Sequence, residues 1–206
     1  MDHWIHNLLF SIQILGALIV LIATYIQNVS LNNVAQELAR MERQETDKVW
    51  LESRIQDYDR DLKAAQASFE DLKDPKHKIR YIIALMNFCK NQIAYKRLAI
   101  QMAPMGSYVD SDTNVDAKWK QSELDKCSQL DAQADKYYFT LDVDNFSTLA
   151  ITLFGYNAMG LPHMFFKAKE HLENTRLQKD KIHRRYSLYL IFGTLLMLVG
   201  ASVGFK

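Results

Sequence analysis

The chain has 206 residues, of which 25 are basic and 24 acidic, so its formal net charge is +1. Seven glycines and three prolines are few for this length, which favours a small number of long helices. The two cysteines, Cys89 and Cys127, stand in neither a CxxC nor a zinc-ligand spacing, and in a cytoplasmic domain we expect them to be free thiols.

Two stretches without a charged residue lie near the two ends of the chain, at about Trp4–Tyr25 and Tyr186–Phe205. A hydrocarbon core of about 30 Å takes about 20 helical residues, so each stretch is long enough to cross a bilayer. No Lys or Arg precedes the first stretch, and we expect a retained anchor rather than a cleaved signal peptide. The sequence therefore predicts transmembrane helices at 1–27 and 186–206, with a domain at 28–185 between them.

Basic residues beside the two stretches predict how the chain is oriented. They follow the first stretch and precede the second, whereas Lys206 alone lies beyond the second. The positive-inside rule then places residues 28–185 in the cytoplasm and both termini outside an inner or plasma membrane. The bilayer is thus the first expected partner. Anionic lipid is expected beside the basic group that precedes the second stretch, which is Lys179, Lys181, Arg184 and Arg185.

The middle of the chain predicts an all-α, antiparallel helical bundle. Its first helix continues from the first span to Pro75 and resembles a coiled coil, because apolar residues recur at a and d positions. We interpret these residues as an oligomer seam: Leu51, Ile55, Tyr58, Leu62, Phe69 and Leu72. Further helices are predicted at 76–102 and 117–139, and a short helix or elbow at 145–159. A last helix should begin at Gly160–Pro162 and continue into the second span.

Charge is distributed in blocks that follow these helices. The net charge is −4 over 28–75, +6 over 76–102, −5 over 103–144 and +4 over 167–185. Neighbouring segments therefore alternate in sign, which favours antiparallel packing of each helix on the next. The basic second helix also carries Tyr81, Phe88 and Tyr95 at seven-residue spacing. A central helix between acidic neighbours, with its aromatic residues in the core, explains that pattern, and nucleic acid is not an expected partner.

Residues 145–166 contain no Asp, Glu, Lys or Arg and many apolar side chains. A buried elbow that closes the bundle is one interpretation of this stretch. A partner-docking or interfacial patch is the other, because a large exposed apolar surface is typical of an interface. The sequence leaves the two open.

Small and polar residues line one face of each predicted span. An amide facing lipid is unfavourable, so this face should meet another helix or water. The candidates are Gln13, Gly16, Thr24, Gln27, Ser187, Gly193, Thr194, Gly200 and Gly204. Gly200 and Gly204 are spaced for close helix contact. Helix packing, within the chain or between chains, and the lining of a pore are the two interpretations.

Arg176 and His183 are the only catalytic candidates. Their spacing resembles the R-x4–6-H pattern of HEPN ribonucleases, in which His and Arg serve RNA cleavage in a helical dimer. Leu177 stands where that family has a polar residue. The sequence shows no Ser/His/Asp grouping, phosphate-binding glycine loop or metal-ligand cluster. We therefore predict no enzymatic activity, cofactor or metal.

These patterns predict a non-enzymatic integral membrane protein, either a self-associating scaffold or an accessory subunit of a larger membrane complex. The alternative is an oligomeric, pore-forming or membrane-permeabilising effector gated by its cytoplasmic helical domain. A membrane-attached ribonuclease of the HEPN type is the third hypothesis, and it depends on Arg176 and His183 alone.

Overall fold

The computed structural model describes residues 2–67, 74–108 and 114–202, and leaves out the side chains of residues 2, 3, 6, 156 and 202. Every regular element in these ranges is a helix. The elements are α1 (Asp2–Ile26), a π-helical segment (Gln27–Leu31), α2 (Asn32–Ala67), α3 (Pro75–Met102), α4 (Ala117–Thr140) and α5 (Val143–Ser202). The prediction of an all-α chain organised as a helical bundle is confirmed.

The starts of α3 and α4 are fixed by capping residues. The Asp74 carboxylate accepts a hydrogen bond from the Lys76 backbone N–H at 2.9 Å, and Pro75 occupies the first helical turn, where its missing N–H costs nothing. Asp116 caps α4 in the same way, accepting from the Trp119 N–H at 2.6 Å. Leu141, in the left-handed region at φ 53°, ends that helix. Both helices match the predicted bounds to within one residue.

Helices α3 and α4 pack antiparallel, with basic residues of α3 facing acidic residues of α4. Lys90 reaches Asp135 at 2.9 Å and Asp131 at 3.2 Å. Arg97, two turns further along α3, also reaches Asp131, at 2.7 Å. For this pair of helices the structure agrees with the antiparallel packing expected from the alternating charge blocks.

The chain divides into two compact units. A terminal unit consists of residues 1–40 and 172–206, and a central unit of residues 41–171. Aliphatic, aromatic and small residues of α3, α4 and the start of α5 form most of the main core of the central unit. Its most deeply buried members are Ile82, Leu85, Phe88, Cys89, Ile93, Ile100, Cys127, Ala134, Phe146 and Leu153. Cys89 and Cys127 are both free and buried.

The predicted elbow at 145–159 and the predicted helix start at Gly160–Pro162 are wrong. Residues 143–202 form one unbroken helix of 60 residues with Pro162 inside it. Proline inside a helix removes the hydrogen bond that the Ala158 carbonyl would accept, and its ring crowds that carbonyl, which together cost about 3 kcal/mol. Glycine in a helix costs about 1 kcal/mol relative to alanine, which packing on either side offsets. That packing comes from the residues beside Pro162, since Leu161, Met164 and Phe165 form a second core cluster with Ala99 of α3.

The uncharged stretch at 145–166 packs into the core on one face and is exposed on the other. Phe146, Leu149, Leu153 and Leu161 are buried. Ile151 is 73% exposed, Phe154 57% and Met159 84%. One face of the stretch is therefore part of the core, within a continuous helix rather than an elbow, and docking of a partner on the exposed face stays a prediction.

The continuous helical segment Asn7–Ala67, which comprises most of α1, the π-helical segment and α2, contains a stretch long and apolar enough to cross a membrane, by its length and composition. Only this helix meets the criterion within the part of the chain that the structure describes. The second predicted span ends in residues 203–206, which lie outside that part. Two spans flanking a cytoplasmic bundle, and the boundaries 1–27, 28–185 and 186–206, therefore stay predictions.

Candidate membrane helix interface

Glycines bring the backbones of α1 and the end of α5 into close contact in the terminal unit. A Cβ placed on Gly16 would lie 2.8 Å from the Gly193 carbonyl oxygen and 2.9 Å from the Met197 backbone nitrogen. A Cβ placed on Gly193 would lie 2.9 Å from the Gly16 carbonyl oxygen. Contacts under 3.0 Å to backbone atoms cannot be relieved by rotating a side chain. Glycine is therefore required on both sides of this crossing.

A second glycine extends the contact towards the start of α1. A Cβ placed on Gly200 would lie 2.9 Å from the Gln13 Cβ and 3.1 Å from the Leu9 carbonyl oxygen. Because Gly193 meets Gly16 while Gly200 meets the earlier residues Leu9 and Gln13, the two helices run antiparallel. The spacing of Gly193 and Gly200, two helical turns apart, keeps both on the face that meets α1. Four predicted interface residues, Gln13, Gly16, Gly193 and Gly200, are thus brought together, and Gly204 lies outside the described residues.

The hydroxyl groups of the predicted polar face are satisfied within their own helices. Thr24 donates to the Val20 carbonyl at 2.9 Å, Ser187 to the His183 carbonyl at 3.1 Å and Thr194 to the Leu190 carbonyl at 2.7 Å. A hydroxyl bonded to the carbonyl four residues earlier is compatible with an apolar environment. These three residues therefore need neither water nor a second helix.

The Gln13 amide differs from those hydroxyls. Its Cα and Cβ pack on Gly200, while the side chain as a whole is exposed and makes no hydrogen bond to any residue that the structure describes. An amide has two donors and an acceptor, and leaving them unpaired in hydrocarbon costs several kcal/mol. Gln27 lies in the π-helical segment and is half-buried. This π-helical segment was not predicted, because a π turn has no characteristic residue pattern.

The predicted oligomer seam lies on the central unit and packs partly within the chain. Leu51 is buried, and Tyr58 and Leu62 pack against the main core. Ile55 lies on the wall of a surface groove. Phe69 and Leu72 lie outside the described residues. Self-association through this seam stays a prediction, and the same heptad spacing also serves the packing of α2 within the bundle.

The two catalytic candidates lie on one exposed face of α5. Arg176 and His183 are both exposed, and two helical turns separate them, about 10 Å along the axis. His183 stacks near the Tyr186 ring, with 6.4 Å between the ring centroids. The four predicted lipid-contacting residues lie on the same helix, and Lys181, Arg184 and Arg185 are exposed while Lys179 is half-buried. Among the described residues no group of three His, Cys, Asp or Glu side chains is placed to hold a metal ion.

A buried ion pair in the central unit was missed by the sequence analysis. Lys96 on α3 and Glu123 on α4 lie 3.3 Å apart, with side chains only 6% and 8% exposed. Burial alone would raise the Glu123 pKa, but hydrogen bonds and charge from Lys126 and Lys96 outweigh it, so that pKa is lowered. The block charges predicted that α3 faces an acidic helix, yet they did not indicate which pair is desolvated.

In comparisons with known proteins, no family, no curated protein and no solved structure matches this chain.

Proposed function

We propose that the chain is a non-enzymatic integral membrane protein that self-associates as a scaffold or serves as an accessory subunit of a larger membrane complex. In this proposal α1 and residues 186–206 form an antiparallel pair of transmembrane helices, the membrane hairpin, with the rest of the chain between them. The close approach of Gly16 and Gly193 supports it most directly. Small residues that allow backbone contact are typical of helix pairs in membranes, where packing rather than the hydrophobic effect drives association.

The exposed side chains of the terminal unit support a lipid environment. Leu8, Phe10, Leu18, Leu21, Leu188, Phe192, Leu195 and Leu198 are among its exposed large apolar residues. Exposing these side chains to water would be unfavourable, because soluble proteins rarely expose large contiguous apolar patches. In the proposed orientation residues 28–185 are cytoplasmic, both termini are outside, and Lys179, Lys181, Arg184 and Arg185 lie beside anionic lipid.

Self-association is supported by the Gln13 amide. Within the hairpin it has no partner among the described residues, so a second copy or a foreign helix would supply one. The mass of the chain purified alone in an uncharged detergent tests this step. A stable dimer or larger homo-oligomer supports a self-associating scaffold, and a strict monomer supports an accessory subunit that needs foreign partners.

A pore is the second candidate, and the same amide favours it, because water in a lumen would also satisfy Gln13. Liposomes loaded with a fluorescent dye separate the two functions. Flux that depends on the reconstituted chain supports a pore-forming effector gated by its helical domain. Intact liposomes at a high ratio of protein to lipid support the scaffold.

A ribonuclease of the HEPN type would need Arg176 and His183 in a dimeric RNA site. Both side chains lie on α5 beside the proposed membrane surface, two helical turns apart. Comparing RNA cleavage by the chain and by His183→Ala tests this third hypothesis. Our proposal expects no cleavage by either.

A further inference from the structure

A groove of about 340 Å³ opens on the central unit between α2, α3 and α5. Its polar wall is formed by Glu52, Gln92, Tyr95 and Asn157. Its apolar wall is formed by Ile55, Phe154, Ala158 and Pro162. A concave, largely apolar surface with a few convergent polar groups is typical of small-molecule sites, and this volume is at the small end of their range.

Asn157 is held in one orientation at this wall. Its Nδ2 donates to the Gln92 backbone carbonyl at 3.0 Å and to the Gln92 Oε1 at 2.6 Å. A backbone carbonyl accepts and cannot be flipped, so the Asn157 nitrogen must face it and the Oδ1 must face away. Asn157 is only 7% exposed, and its Oδ1 is buried without a hydrogen-bond partner among the described residues. Leaving such an acceptor unpaired costs about 1–3 kcal/mol.

Pro162 interrupts the backbone hydrogen bonding of α5 beside the groove. Ala158 and Pro162 both line the groove, and Pro162 has no N–H to donate to the Ala158 carbonyl. The proline that the sequence analysis read as a helix start therefore has a chemical consequence inside the helix. It leaves the carbonyl of Ala158, the residue after Asn157, without its usual helical donor.

The second acceptor of the groove, Glu52, is charged. Glu52 accepts a hydrogen bond of 2.6 Å from the Tyr95 hydroxyl through Oε1. Burial and the hydrogen bond to Glu52 raise the pKa of Tyr95, so the hydroxyl keeps its proton as a donor. Lys48 lies 3.8 Å from the same oxygen but is closer to Glu45, at 3.5 Å, and also lies over the Phe165 ring. Glu52 Oε2 thus retains acceptor capacity, and its side chain is 41% exposed.

We propose that this groove binds a small aliphatic primary ammonium ion, with the charged nitrogen at Glu52 and Asn157 and the carbon chain against Ile55, Phe154 and Pro162. An ammonium group has three donors and no acceptor, which matches the carboxylate of Glu52 and the amide oxygen of Asn157. Hydrogen bonds from a cation to a carboxylate are about twice as strong as neutral ones. A neutral alcohol of the same length has one donor and no charge, so it matches the wall poorly.

The proposal is tested with the full chain in an uncharged detergent, by ligand-observed NMR titration with n-butylammonium chloride at constant ionic strength. We expect saturable binding, no comparable binding of n-butanol, and affinity lowered about tenfold or more in Glu52→Gln, which keeps an acceptor for Tyr95 but removes the charge. Asp57→Asn is the matched control. It removes one carboxylate from the same helix, where Asp57 pairs with exposed Arg60 at 3.5 Å, and it should bind like the unaltered chain.

Three results would overturn the proposal. One is equal affinity of Glu52→Gln and the unaltered chain for n-butylammonium. Another is binding of n-butanol as tight as that of the amine, which would make the groove a merely apolar cleft. The third is binding of a capped Ala-Lys-Ala peptide without binding of the free amine, which would assign the groove to a lysine of a partner protein. The central unit alone forms the groove, so the outcome does not depend on the proposed membrane hairpin.

Discussion

Gly16 and Gly193 meet so closely that neither position has room for a methyl group: a Cβ on Gly193 would lie 2.9 Å from the Gly16 carbonyl oxygen, and one on Gly16 would lie 2.8 Å from the Gly193 carbonyl oxygen. The contact joins two segments that are far apart in sequence. Gly16 and Gly193 each lie near the middle of an uncharged stretch, so the two stretches pack against each other at this contact.

Replacement of Gly193 by alanine should destabilise the hairpin by about 1–3 kcal/mol, because the added methyl group forces the two backbones apart. Gly155→Ala and Gly160→Ala on the same helix are matched controls, since a Cβ at either position meets nothing within 4 Å. Alanine there should be neutral or stabilising by up to about 1 kcal/mol. Thermal unfolding in detergent, followed by circular dichroism, ranks the three variants. Equal losses at all three positions would contradict the contact.

Gln13→Leu should reduce self-association in detergent, because it removes the amide that needs a partner outside the hairpin. Thr24→Val is the matched control, since the Thr24 hydroxyl already donates to the Val20 carbonyl at 2.9 Å. Interhelical hydrogen bonds in membranes contribute about 0.6–2 kcal/mol, so the dissociation constant should rise about three- to thirtyfold for Gln13→Leu. Analytical ultracentrifugation gives both constants. A larger effect from Thr24→Val would show that the wrong polar group was assigned to the interface.

Truncating Glu123 should destabilise the central unit strongly, because Lys96 would remain buried without its carboxylate. Breaking a buried ion pair typically costs about 3–5 kcal/mol. The control replaces both members, Lys96→Met with Glu123→Leu, and this double variant should recover most of the loss. Chemical denaturation of the full chain in detergent measures the differences. A double variant as unstable as Glu123→Ala would indicate that the pair matters through other contacts.

The same carboxylate gives the central unit a predictable response to acid. The pKa of Glu123 is lowered in the folded chain, so the unfolded state binds the proton more readily. The ionised Glu123 therefore stabilises the folded state fully above the ordinary pKa of glutamate. This stabilisation is lost as the pH falls through the lowered pKa of Glu123 in the folded chain. In Glu123→Gln the free energy of unfolding should therefore fall less between neutral and acidic pH than in the unaltered chain. Parallel curves for the two proteins would exclude this contribution.

Both cysteines should resist thiol reagents while the chain is folded. Burial raises the pKa of the Cys89 thiol to about 12, and burial also raises that of Cys127 despite the nearby positive charges of Lys96 and Arg97. The thiolate is the reactive form, so little of it exists at neutral pH. Reaction with a chromogenic disulfide should be slow in native detergent and release two thiols per chain after denaturation. Rapid native reaction would show that the core opens.

The sequence predicted those parts of the fold that depend on local signals. Asp74 with Pro75 and Asp116 mark helix starts by capping chemistry, so α3 and α4 were located to within one residue. Pro162 was misread, because its local preference favours a helix start and only the packing of Leu161 and Phe165 shows that the helix continues through it. Glycine spacing predicted which faces of the two stretches are suited to packing, but not that Gly16 would lie opposite Gly193.

Sites that depend on burial were beyond prediction. The burial of Lys96 with Glu123, and the unpaired Oδ1 of Asn157, result from the packing of helices that are distant in sequence. A single sequence contains no sign of which polar residue loses its water. Heptad spacing did indicate which residues pack, but not against what. The predicted seam between chains includes Tyr58 and Leu62, which pack against the core of the same chain.

The membrane hairpin is tested most directly by locating three single added cysteines, at positions 2, 128 and 206, in sealed cells with a membrane-impermeant maleimide. The native thiols remain in place, because they are expected not to react. Our account predicts that Asp2→Cys and Lys206→Cys are labelled from outside, that Ser128→Cys is labelled only after the membrane is opened, and that all three proteins stay with the membrane in alkaline carbonate. Recovery of the chain in the aqueous fraction, or labelling of positions 2 and 206 on opposite sides, would contradict it.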